Sequence, residues 1–422
     1  MTIKFTTIIK YCVFLFFIIA VSLTKLLTNT PFDNIRTLSI ILMIIMGIAI
    51  FFYLLSDKDK YYRYVNVLMI YSVLFFLIEW MYTNSKYHVG FNDFFFSNER
   101  FLFMCFAGAI LLLLRKSVLN LEQLFAIISV FMLISYGIRI IISVYYGMTG
   151  TVIFNSIATE NAMEGWIRNG VLRVNQPAFY MLIIPIDLWL VFYGSKKSFR
   201  YLGIITFLTV LFFVTSILQS RAAMINTIII SVLFFVLRKQ TSLSKLLAIF
   251  LIFVMIMMLY INGNIDSLLN SFSVANSSTG YSSEFRLICL DYYYSWWQEN
   301  PFWGIGGLSE EQLVLNLPKG HIADIGYLAN VFRFGFFAII LFVLIFARWV
   351  YIAWMTHRYK SKYFVLSICI LISYLMYMIN IDCFYGTAKY AVPVSIAVME
   401  WICYEVKQQI KMESPLEKRE TL

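Results

Sequence analysis

Residues 284–335 read EFRLICLDYYYSWWQENPFWGIGGLSEEQLVLNLPKGHIADIGYLANVFRFG. The first 41 of these close a long polar gap, 264–324, in an otherwise oily chain, and the last 11 open an apolar run that continues to residue 347. A gap of that length between runs of about 20 apolar residues is the pattern of a membrane protein with one large aqueous loop. Composition agrees. Of 422 residues 61% are hydrophobic and 13% charged, against roughly 45–50% and about 25% in soluble domains.

Working outward from that gap, the span rule predicts an all-α polytopic membrane protein. It has about twelve transmembrane helices, near 11–27, 37–55, 65–82, 99–115, 120–146, 175–194, 201–219, 221–237, 245–263, 325–347, 362–380 and 387–405. We expect one integral membrane domain over 1–422, without internal repeats. The net charge of +10 is dispersed in short clusters between apolar runs, which argues against nucleic acid as a partner and for the positive-inside rule. Every second connection is basic: Lys58, Lys60 and Arg63; Arg115 and Lys116; Lys196, Lys197 and Arg200; Arg238, Lys239 and Lys245; Arg348, Arg358, Lys360 and Lys362; and the tail with Lys407, Lys411, Lys418 and Arg419. Both termini are therefore expected in the cytoplasm, with 406–422 a cytoplasmic tail, and the long loops 147–174 and 264–324 are expected outside.

Within the larger loop, Ser282 and Ser283 are suited to cap a helix that Asn300-Pro301 ends, with Leu287, Leu290, Tyr294 and Trp297 at helical spacing. This predicts an amphipathic helix at the outer membrane surface, its Trp and Tyr rings at headgroup level. The six cysteines, Cys12, Cys105, Cys289, Cys369, Cys383 and Cys403, show neither paired nor metal-ligand spacing and read as small buried hydrophobes. Asp57-Lys58-Asp59 reads as a solvated turn, and nothing calls for a metal or ATP.

Chemistry is expected from outward cations near span ends: Arg168 and Arg173, Arg221 and Arg286. Arginine binds phosphate as a fork and stays charged at any pH. Taken singly, each is equally explained by snorkelling or by pairing with a carboxylate. Gln219-Ser220-Arg221-Ala222-Ala223 leaves almost no loop between two spans, so Arg221 is held at the membrane edge, where a charge marks function. His321 follows Gly320 before a long helix, with Asp324 three residues on. An imidazole there is placed to take a proton from an attacking hydroxyl; taken alone, a surface histidine of no consequence is the simpler reading. Gly304, Gly306 and Gly307 predict a tight turn where backbone approaches something closely. Trp296, Trp297, Trp303 and Tyr292–Tyr294 offer faces for sugar rings.

Ser220-Arg221-Ala222-Ala223 at a span start, Arg286 followed by Trp297, Asn300-Pro301 and Gly304-Ile305-Gly306, and His321 ahead of a span containing Gly335 together resemble the O-antigen ligase and Wzy-type polysaccharide polymerase superfamily. The resemblance covers about 165–340. It implies the fold of the membrane-embedded GT-C-type glycosyltransferases, with an active site outside the bacterial plasma (inner) membrane. It also implies inverting transfer from an undecaprenyl-diphosphate-linked oligosaccharide, with no metal or other cofactor. Carried onto this chain, Arg221 and Arg286 would hold the diphosphate, Arg173 would assist, and His321 would activate or position the acceptor hydroxyl. Arg168, Asp324, Tyr327 and Trp297 would complete the substrate-binding set.

The chain departs from the family pattern at Ile322, after the histidine, and in the loose Arg173-Val174-Asn175-Gln176-Pro177, so the choice between Arg168 and Arg173 stays open. The expected function is a Wzy-type polymerase that lengthens O-antigen or capsule, with membrane lipids, a flippase and a chain-length regulator as partners. The alternatives are a ligase passing glycan to lipid A core and a flippase of lipid-linked sugars.

Overall fold

The computed structural model describes residues 5–27, 33–56, 62–154, 157, 167–168, 170–238, 257, 277–314, 322–379, 381–384 and 386–420. Fourteen helices are numbered here in chain order among these residues. They are α1 (Phe5–Ala20), α2 (Asp33–Ser56), α3 (Arg63–Tyr87), α4 (Phe91–Asn98), α5 (Cys105–Arg115), α6 (Leu121–Thr149), α7 (Tyr180–Tyr193), α8 (Lys197–Phe212) and α9 (Arg221–Leu237). After them come α10 (Ser277–Gln298), α11 (Glu310–Val314), α12 (Tyr327–Arg358), α13 (Phe364–Met378) and α14 (Ala391–Glu420). Helices occupy each of the intervals expected to span except 245–263, where residue 257 alone is described. Among the described residues, five helical stretches are long and apolar enough to cross a membrane: Arg63–Tyr87, Phe91–Arg115, Leu121–Thr149, Lys197–Leu218 and Tyr327–Arg358. The protein is a polytopic membrane protein.

Burial sorts the helices. The Phe91–Arg115 stretch lies almost wholly inside the protein, and its α5 segment packs against α1, α2 and α14. α12 leaves Phe336, Val343, Val350 and Trp354 exposed, as a helix facing lipid does. The strand content among the described residues is a two-residue hairpin, Ile167–Arg168 with Val171–Leu172, which the sequence Asn169-Gly170 favours.

Local signals set the helix ends. α6 starts on a reciprocal capping box in which the Gln123 amide donates to Asn120 Oδ1 at 2.8 Å and the Asn120 amide to Gln123 Oε1 at 3.1 Å. α8 runs into a π-helical turn, Phe213–Leu218, closed by the Gln219 amide donating to Val214 O at 3.0 Å. Gln219 then takes φ 49°, and α9 begins at Arg221. Single π turns inside helices gather at functional positions.

Charge divides the two ends of the bundle. At one end Arg115 lies over the rings of Tyr62 and Tyr404, Arg238 over Phe192 and Tyr193, the Ser195 amide donates to Glu122, and Arg348 grips Glu400 in a two-bond fork of 2.7 and 2.8 Å. The described residues of the basic connections collect here. The other end holds the 82–100 region, 173–176, 218–221, the 286–308 segment, 322–333 and 381–390.

Candidate functional site

The large loop is fixed to the bundle by its own glycines. α12 breaks at Gly335, which takes φ 54° and ψ −135°. Into that break fits the segment after Pro301: the Ile305 amide donates to Phe332 O (2.9 Å), the Gly306 amide to Arg333 O (2.7 Å), and the Phe336 amide to Phe302 O (2.9 Å). A side chain on Gly304 would meet Arg333 O at 2.5 Å, and one on Gly335 would meet Phe302 O at 2.3 Å. Positive φ and close backbone approach both require glycine here. The close approach expected of Gly304-Ile305-Gly306 is therefore to the chain's own broken helix. Further clamps come from α3 and α4, where the Tyr82 hydroxyl donates to Gly304 O, the Gly307 amide to Thr83 Oγ1 and Asn98 Nδ2 to Gly307 O. Arg333 donates to Leu308 O at 2.7 Å.

That anchoring uses the aromatic surface. Trp303 stacks on Tyr82 with centroids 5.3 Å apart and packs on Phe337, and Tyr293 is fully buried. Trp297 is half-buried between Tyr294 and Phe332, each 5.8 Å away. Tyr294 and Tyr327 keep exposed faces. The loop helix begins at Ser277, upstream of the expected cap at Ser282-Ser283, because Ser277-Ser278-Thr279-Gly280-Tyr281 continues the helix with nothing to stop it.

The site residues fall into two groups. In the first, Arg173 Nε donates to Leu218 O at 2.8 Å, tying the Arg173 segment to the π turn that delivers Arg221. Arg168 stands in the hairpin just before, its backbone paired with Val171; the side chains of Arg168 and Arg221 lie outside the described set. Arg139, buried in α6, supports this group by donating to Asn175 O at 2.8 Å and to Ser135. In the second group, α10 carries half-buried Arg286 and packs on the short 3-10 turn Ile322–Ile325. Asp324 is exposed on that turn and, after burial, contributes to pushing the Cys289 thiol above its ordinary range. His321 precedes the turn and lies outside the described residues.

The 381–390 segment joins the two groups. The Asp382 amide donates to Ala323 O at 3.2 Å on one side, and Thr387 Oγ1 donates to Gln176 O at 3.0 Å on the other. Asp382 itself is buried, accepting from Asn330 Nδ2 and from the Phe384 amide, with Arg100 at 3.7 Å. Burial pushes its carboxyl upward, and Arg100 opposes this. Lys389 pairs with Glu99. Arg173, the turn before Arg221, Asp324 and the residues following His321 thus stand at one end of the bundle, connected through a buried polar brace.

Sequence reasoning passed over that brace. Arg139, Glu79 and Arg333 were legible as single charges inside apolar runs, a pattern that marks function or a polar network. Asp382 and Arg100 sit at run edges, where such a charge is ordinary. Among the described residues no cluster of His, Cys, Asp and Glu could hold a metal.

Residues 204–343 match the O-antigen ligase family. The matched stretch takes in the π turn, Arg221, α10 with Arg286, the Gly304-Ile305-Gly306 joint, His321 and Gly335. Arg168, Arg173 and the 381–390 brace fall outside it. Members of the family are membrane glycan-transfer enzymes of ligase or polymerase type. No curated protein matches the chain.

Proposed function

We propose that this protein is a polysaccharide polymerase on the outer face of the bacterial plasma membrane. It transfers an undecaprenyl-diphosphate-linked glycan to the hydroxyl of a new lipid-linked repeat unit. The observation that carries the reading is the convergence, at the end of the bundle away from the basic connections, of the arginine-bearing segments with the turn that follows His321. By the positive-inside rule that end faces outward and both termini lie in the cytoplasm. Outside, no nucleotide sugar is at hand, so the donor arrives activated on a lipid diphosphate.

The acceptor oxygen bonds to the anomeric carbon as the bond to phosphate breaks, and the hydroxyl proton passes to His321. Charge develops on the leaving diphosphate. Arg221 and Arg286, with Arg173 or Arg168 assisting, stabilise it as fixed donors stabilise an oxyanion; removing one such donor costs on the order of 100- to 1000-fold in rate. This chemistry asks for no metal and suits a GT-C-type fold of about twelve spans. Asp324, Tyr327 and Trp297 line the approach of the sugars. A flippase and a chain-length regulator are the partners this reaction requires upstream and alongside.

The test is purified protein with lipid-linked repeat units. We expect products longer by whole repeats, abolished in Arg221→Ala, Arg286→Ala or His321→Ala that fold normally. Full activity in all three variants would remove the site assignment. The family description favours a second reading, ligation onto lipid A core. A deletion strain separates them: accumulation of single-repeat glycolipid marks a polymerase, and loss of long chains from lipid A alone marks a ligase.

A further inference from the structure

At the opposite, basic end of the bundle a groove of about 260 Å³ lies between α12 and α13. Val350, Ala353 and Trp354 of α12 face Ile368 of α13, and His357 and Phe364 close one end with their rings 4.8 Å apart. Val350 is 53% and Trp354 52% exposed, so the groove opens on the surface these apolar helices present to lipid. A dry cavity of about 150 Å³ holds a molecule the size of benzene; this one has room for a longer hydrocarbon segment.

Immediately beyond its polar end the chain runs His357-Arg358-Tyr359-Lys360-Ser361-Lys362. The Arg358 guanidinium lies over the Trp354 ring at 5.3 Å, which places a fixed positive charge at the groove's mouth. The acidic groups nearby are Glu405, which acts on Lys362 and Tyr363, and Glu122, which acts on Tyr363. Tyr363 is buried and packs inward on Trp189 and Trp401. No carboxylate pairs with Arg358 or Lys360 among the described residues. An apolar slot on the membrane face that ends in uncompensated cations is complementary to one class of molecule, a lipid with an acyl chain and a net negative headgroup. A zwitterionic headgroup would add a second cation to a place already crowded with them.

We propose that this groove binds an anionic glycerophospholipid, acyl chain between α12 and α13, headgroup phosphate at Arg358 and Lys360. The inference stands apart from the glycan-transfer reading and from its site.

The experiment uses the full chain in nanodiscs of equal phosphatidylglycerol and phosphatidylcholine, followed by mild detergent release and native mass spectrometry of retained lipid. We expect phosphatidylglycerol to be retained in preference by on the order of tenfold. The double variant Arg358→Gln/Lys360→Gln should lose that preference. Val350→Trp, which fills the slot and leaves the cations, should lower retention itself; Ala353→Val is a milder filler should Val350→Trp fold poorly. Absence of headgroup preference in the parent protein, or unchanged retention in either class of folded variant, overturns the proposal.

Discussion

Gly335 stands against the carbonyl of Phe302 so closely that a Cβ on it would lie 2.3 Å from that oxygen. This contact holds the large loop in the break of α12, and the φ of 54° at Gly335 adds backbone strain to any replacement. Gly335→Ala should therefore destabilise the protein by about 1–3 kcal/mol. The expected readouts are a lower thermal midpoint and faster protease cleavage within 299–314. A variant with parental stability and cleavage would show that the joint is not a close-packed one.

Asp382 is the anchor of the brace between the two groups of site residues. Asp382→Met removes the carboxylate facing Arg100 and Asn330 and should cost about 3–5 kcal/mol, as breaking one partner of a buried pair does. Replacing both charges, Arg100→Met with Asp382→Met, should recover a large part of that loss. Unfolding midpoints of the two single variants and the double variant decide it: additive losses would mean the pair is not the unit.

Arg139 directs its donors to Asn175 O and to Ser135. Its role is to position the 173–177 segment, so Arg139→Leu, which takes the donor from the part-buried Asn175 carbonyl, should cost about 1–3 kcal/mol. Arg139→Gln can still reach that carbonyl and should restore part of the stability. Equal losses in both variants, measured by chemical unfolding, would contradict this.

The oriented bundle makes a labelling prediction. Five of the six cysteines are buried and Cys12 is half-buried, so a Cys12→Ser background reacts slowly with a charged maleimide. On that background Glu299→Cys, at an exposed position beside the candidate site, should be modified in intact cells. Lys197→Cys, exposed at the basic end, should react only after permeabilisation. The reverse pattern would invert the topology and place the arginines in the cytoplasm.

Much of the helical order was legible, because runs of apolar residues report span positions directly; of the expected spans, 245–263 alone is almost wholly outside the described residues. The interval expected at 99–115 extends back to Phe91, because Glu99 and Arg100 are buried among protein contacts and do not mark an aqueous edge. Less of the candidate site could be read. The glycines announced a close approach but not its partner, since a break in α12 is a tertiary event that Gly335 alone does not signal. Tyr293 and Trp303 looked like sugar platforms in one dimension and are occupied by packing in three. The brace was invisible because each of its joins ends on backbone, the Asp382 amide on Ala323 O and the Thr387 hydroxyl on Gln176 O, and every residue type carries such groups.

The π turn at Phe213–Leu218 makes segment length a carrier of information. Where a residue is added to this segment or removed from it without a compensating change in turn width, everything downstream swings by roughly 100° about the helix axis. Arg221 would then face a different neighbour although no side chain had been exchanged. An indel scan across this hexapeptide would expose a constraint that substitution scans are blind to.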